Sequence, residues 1–200
     1  MSDFDARAAT WDDPVKAERA AVVARAIVET IPIGPGTRLL EYGAGTGLVT
    51  QALRDHVGPV TLADTSSGMR AVIAEKVTQG SLPDARIWDL DLATSVPPDE
   101  QFDLVVTVLT LHHVPEVDPV LAAFARLLVG GGRLVVVDLE AEDGSFHGEG
   151  FTGHHGFVRA WLAERLEAAG FTDVSFRSCH AITRNDGTYP LFMATARRGR

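Results

Sequence analysis

Near-continuous apolar runs at residues 38–42, 60–63, 85–90, 102–109 and 133–139 alternate with helix-like stretches at 48–57, 67–77 and 119–128. A strand that is apolar on both faces must be covered on both faces. The alternation therefore predicts a parallel α/β sheet flanked by helices. The helix over 119–128 is expected to close at Gly130-Gly131-Gly132. Upstream, residues 15–30 read as an amphipathic helix with Pro14 in its first turn, ended by the Pro- and Gly-containing stretch 31–36. Downstream the rhythm changes. A helix over 157–169 is closed by Gly170, and strands over 171–179 and 188–196 follow. Only the turn-like Asn185-Asp186-Gly187 segment links them, too short for a parallel crossover, so these strands are expected to be antiparallel neighbours.

The chain has 200 residues, enough for one domain with a sizeable core. Its apolar runs are far shorter than the ~20 residues of a membrane helix. The N-terminus lacks the basic start and apolar stretch of a signal peptide. The single Cys179 forms no internal disulfide and reads as a small core residue, which suits a reducing cytoplasm. A net charge of −9 disfavours nucleic acid as the main partner. The one basic cluster, Arg197, Arg198 and Arg200, reads as a frayed, solvated tail.

The segment Leu39-Leu-Glu-Tyr-Gly-Ala-Gly-Thr-Gly-Leu places Gly43, Gly45 and Gly47 between a strand and a helix. Glycines there permit a tight turn and close approach of a ligand. A dinucleotide fingerprint needs its third glycine at position 48, which is Leu48. Glu41, two residues before the first glycine, would repel a pyrophosphate but attract a ligand carrying an ammonium and a sulfonium. No Gly-Lys-Ser/Thr follows, so a phosphate-binding loop is excluded. Asp64 ends the next strand at the distance where an acid meets ribose hydroxyls; a simple helix cap before Ser67 is the competing reading. Asp91 follows the third strand and would accept from an adenine amino group, with Asp89 as a rival.

Together, Glu41-Tyr-Gly-Ala-Gly-Thr-Gly, Ala63-Asp-Thr-Ser-Ser-Gly-Met, Asp91-Leu, Phe102-Asp-Leu-Val-Val-Thr-Val-Leu-Thr-Leu-His-His-Val and Leu127-Leu-Val-Gly-Gly-Gly-Arg-Leu-Val-Val-Val-Asp resemble the class I S-adenosylmethionine-dependent methyltransferases, in order and spacing, over residues 37–139. The resemblance implies a Rossmann-like, seven-stranded, mostly parallel sheet with helices on both faces and a C-terminal antiparallel hairpin strand. It divides a single domain of residues 1–200 into an N-terminal lid and helix (1–30), a cofactor-binding core (37–140), a His- and Gly-rich insertion (141–156), and a C-terminal helix and hairpin (157–200). It implies S-adenosylmethionine as cofactor, with S-adenosylhomocysteine as product. Glu41 and Gly43, Gly45 and Gly47 would hold the methionine end, and Asp64 the ribose. Met69, Asp91 and Leu92 would lie at the adenine, and Leu109 would line the pocket. The segment from Phe4 to Trp11 resembles the lid of small-molecule members. By that analogy Trp11 covers the cofactor; anchoring the first helix is the equal alternative.

Methyl transfer from a sulfonium is an in-line displacement that needs alignment and exclusion of water, and a base only if the acceptor must lose a proton. The place after the fourth strand reads Leu109-Thr-Leu-His-His rather than the Asn/Asp-Pro-Pro-Tyr/Phe of amino-group methylases of DNA and protein, which points toward a small-molecule acceptor. His112 and His113 at that mouth, and His154 and His155 in the insertion, are the catalytic candidates. The insertion also holds His147 and Glu149. Its competing readings are a flexible, solvated loop, a base, or a metal site with Glu149, but the spacing matches no standard zinc pattern and no metal site is expected. Two other functions stay open: a non-catalytic S-adenosylmethionine-binding regulatory module, and a partner-dependent protein or RNA methyltransferase. Oligomeric state is not legible.

Overall fold

The computed structural model describes residues 3–184 and 186–199. The helices are α1 (Asp3–Arg7), α2 (Pro14–Thr30), α3 (Leu48–Leu53), α4 (Ser67–Thr78), α5 (Val117–Leu127) and α6 (Arg159–Ala168). The strands are β1 (Leu39–Tyr42), β2 (Val60–Ala63), β3 (Arg86–Trp88), β4 (Phe102–Val108), β5 (Leu128–Leu139), β6 (Phe171–Arg184) and β7 (Gly187–Arg198). They form a seven-stranded sheet in the order β3-β2-β1-β4-β5-β7-β6, the expected α/β architecture. The chain packs as two compact units. One runs to Asp91 and includes Phe102–Val106; the other comprises Leu92–Gln101 and Thr107 onward.

In the first unit β1, β2 and β3 are parallel, with Leu39 opposite Val60 and Thr61 opposite Arg86. Every residue of β1 and β2 is buried, as a strand covered on both faces requires. Helix α2 starts at Asp13, whose carboxylate accepts from the Lys16 amide at 2.8 Å, with Pro14 in the first turn. Its buried face is Ala20, Val23, Ala24, Ala26 and Ile27. Helix α3 is shorter than the expected 48–57. It gives way at Arg54 to a tighter 3₁₀ turn, whose Arg54 guanidinium donates to the Gly58 carbonyl at 3.0 Å.

In the second unit α5 buries Val117, Val120, Leu121, Ala123, Phe124 and Leu127. The strand β5 begins directly after it, where Gly130–Gly132 are expected to be a helix-ending loop. Strand β7 is also longer than expected. Arg197 pairs with Arg133, and the Arg198 guanidinium donates to the Leu128 carbonyl. Arg197 and Arg198 are therefore part of the sheet, not a frayed tail; Arg200 lies outside the described residues. Strands β6 and β7 pair antiparallel down to Arg184 opposite Gly187, with Asp186 at φ +61° as a tight turn requires. Asn185 of that turn lies outside the described residues. Cys179 is half-buried on β6, beside an irregularity in the ladder, and not a core residue.

Candidate functional site

The end of β1 in the first unit turns through Gly43, Gly45 and Gly47 at φ +68°, +57° and +79°, a conformation that glycine adopts without steric cost. A Cβ at Gly47 would stand 3.0 Å from Leu82 Cδ1 and 3.3 Å from Leu62 Cδ1, so this glycine also lets the loop pack. Asp64, at the end of β2, holds the loop down. Its Oδ2 accepts from the Gly45 amide at 2.7 Å and its Oδ1 from the Ser66 amide at 2.8 Å. Burial pushes the Asp64 carboxyl above the usual carboxylate range, against the pull of those two amides and of Arg70. The cap of α4 is Ser66, whose hydroxyl accepts from the Met69 amide at 3.2 Å. The cap reading of Asp64 therefore passes to Ser66.

Glu41 is 3% exposed, and its Oε2 accepts from the amide (3.0 Å) and hydroxyl of Thr50 on α3. Burial raises its pKa to about 7, although the bonds from Thr50 lower it. A carboxyl whose folded pKa exceeds its unfolded value binds extra protons in the folded state. Stability from this group is therefore greatest below about pH 4.5 and falls as pH rises toward 7. The expected loss is at most about 3 kcal/mol. Denaturant midpoints measured across that window should slope downward, and Glu41→Gln should flatten the slope.

The segment from α1 to α2 closes over this loop. Asp5 Oδ1 accepts from the hydroxyl of Ser66 (2.6 Å) and the amide of Gly68 (3.0 Å), at the start of α4. Asp12 accepts from the Thr46 hydroxyl and pairs with Lys76 at 2.7 Å, while Lys76 donates to the Thr46 carbonyl at 2.9 Å. Trp11 is half-buried, edge-on to Phe4 at 5.7 Å, with Arg7 and Lys16 each 5.1 Å from its ring. Its Nε1 lies 3.7 Å from where a Gly45 Cβ would be. Met69 is buried. Asp89 is committed to Arg70 at 2.8 Å, and Arg70 also donates to the Asp64 carbonyl at 2.8 Å. Asp91 is half-buried at the end of this unit.

The candidate histidines lie in the second unit, as do Leu92, which is buried, and Leu109, whose amide donates to the Val137 carbonyl at 2.8 Å with φ +53°. The insertion is tied down rather than loose. Glu142 Oε2 accepts from the amides of Gly144 (2.9 Å) and Phe146 (3.0 Å), and the Ala141 amide reaches the Phe157 carbonyl at 3.1 Å. His112, His113 and His147 come together, with ring centroids 4.1 to 5.2 Å apart. Asp138, at the end of β5, is fully buried and takes His112 Nδ1 at 2.6 Å. Burial, then neighbouring histidines, lowers His113 to about 4. Burial, then His112 and Arg184, lowers His147 to about 4. The other expected histidines stand apart. His154 Nε2 is 3.2 Å from the Pro115 carbonyl, and His155 Nδ1 is 3.3 Å from Glu142. Glu149 is exposed and outside the trio.

The description of one family model, a methyltransferase domain, fits residues 40–136, the stretch holding the glycine loop, Asp64 and Asp91. Residues 40–136 of this chain match the methyltransferase-domain family. The methyltransferase domain is 38% identical over 109 residues to a phosphatidylethanolamine N-methyltransferase of Cereibacter sphaeroides, covering 54% of this chain and 53% of that protein. Its fold is similar to that of the N-methyltransferase NodS of Bradyrhizobium japonicum in complex with S-adenosyl-L-homocysteine, with TM-score 0.71, 19% identity, and coverage of 94% and 90%. It is equally similar to the [4+2]-cyclase SpnF, with TM-score 0.73, 21% identity, and coverage of 90% and 80%. The chain spans about half the length of the curated relatives it matches.

Sequence reasoning missed Asp5, Asp12, Lys76 and Asp138. A signal existed for Asp138: like Glu41 and Asp64, it is a carboxylate ending an otherwise apolar strand.

Proposed function

We propose that this methyltransferase domain binds S-adenosylmethionine in its first unit and transfers the methyl group to a small-molecule acceptor. The observation that carries the reading is the glycine loop held by Asp64 at Gly45, with the buried carboxyl of Glu41 beside it. Acids at both strand ends suit a cationic ligand with a ribose diol and oppose a dinucleotide pyrophosphate. Gly45 has no contact closer than 3.7 Å around its Cβ position, so the loop leaves room for close approach.

When bound, the sulfonium would supply an activated methyl group for in-line displacement, with the thioether as leaving group. The chain's own tasks are binding, orientation and exclusion of water. Asp64 accepts from the ribose hydroxyls with the lone pairs not used by Gly45 and Ser66. The Glu41 carboxyl, held by Thr50 at the start of α3, faces the methionine end of the ligand. Trp11, Asp5 and Asp12 hold the N-terminal segment as a cover. Asp91 and Met69 keep the adenine roles that the family resemblance implies. Where an acceptor must lose a proton, His112 is the best arranged of the candidate histidines, because Asp138 at Nδ1 leaves Nε2 as the acceptor.

A small-molecule acceptor is favoured by the relatives, one named for phosphatidylethanolamine and others for ubiquinone and menaquinone biosynthesis, and by the net charge of −9. No helix among the described residues is long and apolar enough to cross a membrane. A cytoplasmic location belongs to the same reading. The test incubates the protein with methyl-labelled cofactor and separate metabolite, protein and RNA pools. Label in the metabolite pool is the expected result. Label only in protein or RNA overturns the small-molecule acceptor, and label in none of them favours a binding module.

A further inference from the structure

We propose that His112, His113 and His147 form a three-histidine site for a divalent transition-metal ion of the zinc type, with an open fourth coordination position. One donor nitrogen from each ring lies within 4.8 Å of the others. A tetrahedral zinc with nitrogen bonds of about 2.1 Å brings its donors to about 3.4 Å apart. The donors must therefore draw together to close on an ion.

Three further features separate this trio from ordinary ring packing. First, Asp138 Oδ1 takes His112 Nδ1 at 2.6 Å, so the lone pair of that ring sits on Nε2. A carboxylate behind an imidazole fixes tautomer and orientation, and this is the usual support of a metal-ligating histidine. Second, Asp138 is itself fixed by the Leu139 amide at 2.8 Å and is fully buried. Third, His147 Nε2 is buried with no hydrogen-bond partner among the described residues. A buried nitrogen left unpaired costs free energy that coordination recovers.

The loop that delivers His147 is built for position. Phe151 stacks on its ring at 3.8 Å, and Phe146 packs edge-on to both His147 (4.8 Å) and Tyr189 (5.0 Å). Imidazole donors without carboxylate ligands select zinc, cobalt or nickel over magnesium or calcium. Three protein ligands leave one position for water or for an oxygen or nitrogen of a second molecule. With its Nε2 on the metal, His112 is a ligand and not a base, and the metal site itself does not rest on the methyl-transfer reading.

The site is tested on the untagged, chelator-stripped full chain without any cofactor, so methyl transfer and metal binding can fail separately. Calorimetry with Zn²⁺ should show one ion per chain, and Co²⁺ should give the intense visible bands of tetrahedral coordination. Asp138→Asn should weaken binding about 10- to 100-fold. His147→Ala, in a loop outside the sheet, should abolish the cobalt bands while circular dichroism stays unchanged, and Glu149→Ala should leave binding intact. Absence of stoichiometric binding, or equal binding by wild type and His147→Ala, overturns the proposal. So does loss of the bands in Glu149→Ala.

Discussion

Asp64→Ala is expected to weaken S-adenosylhomocysteine binding about 100-fold, which corresponds to about 2.7 kcal/mol. Two losses add. The ribose hydroxyls lose a charged acceptor, and hydrogen bonds to charged groups are worth about 1.5–3 kcal/mol. The Gly45 and Ser66 amides, held at 2.7 and 2.8 Å, also lose their partner, so the glycine loop is no longer pinned to the end of β2. Asp64→Asn keeps an acceptor of the same shape and should fall between the two. Calorimetry on all three proteins separates the contributions. Equal affinity in Asp64→Ala and wild type would mean that Asp64 serves only the loop.

The second large effect is on stability. Gly156→Ala would place a Cβ 2.1 Å from the Glu140 carbonyl oxygen and 2.6 Å from its carbon, at φ +69°. Neither obstacle is a flexible side-chain end. The backbone at Glu140 is held by its bridge to Phe157 and by the bond from the Glu140 amide to the Pro190 carbonyl at 3.0 Å. Left-handed strain and overpacking together should cost about 3 kcal/mol, or roughly 10 °C in Tm for a chain of this size. Gly148→Ala has a similar φ, +83°, but nothing among the described residues within 4 Å of the new atom. It should lose about 1 kcal/mol, from strain alone. Thermal melts of the two variants compare strain with collision directly. Equal melting points would show that the Glu140 segment yields.

These two positions also show what was legible in the sequence. Asp64 was readable as an acid ending an apolar strand about twenty residues after a glycine loop, with ribose binding and helix capping as the competing readings. Its bond from the Gly45 amide depends on how the loop folds back over β2, which no local pattern encodes. The apolar runs of β1, β2 and β4 were equally clear, since full burial leaves a continuous apolar signature. The start of β5 was not. Gly130–Gly132 carry the signal of a helix stop, yet they lie within β5, between Leu128, which accepts from Arg198, and Arg133, which pairs with Arg197, both more than sixty residues away. The histidine trio failed to show for the same reason. His147 joins His112 and His113 across thirty-four residues, and neither spacing nor composition distinguishes it from His154 or His155. The N-terminal segment was visible as an aromatic stretch. Its anchors, Asp5 on Ser66 and Asp12 on Lys76, are ordinary surface acids until the fold brings them to α4.

The central claim is that the first unit is built for S-adenosylmethionine. The most direct measurement is calorimetric titration of the purified chain with S-adenosylmethionine and, separately, with S-adenosylhomocysteine. Saturable one-to-one binding of both ligands is the predicted result. No saturable binding of either, by a chain whose melting curve shows it folded, would contradict the account.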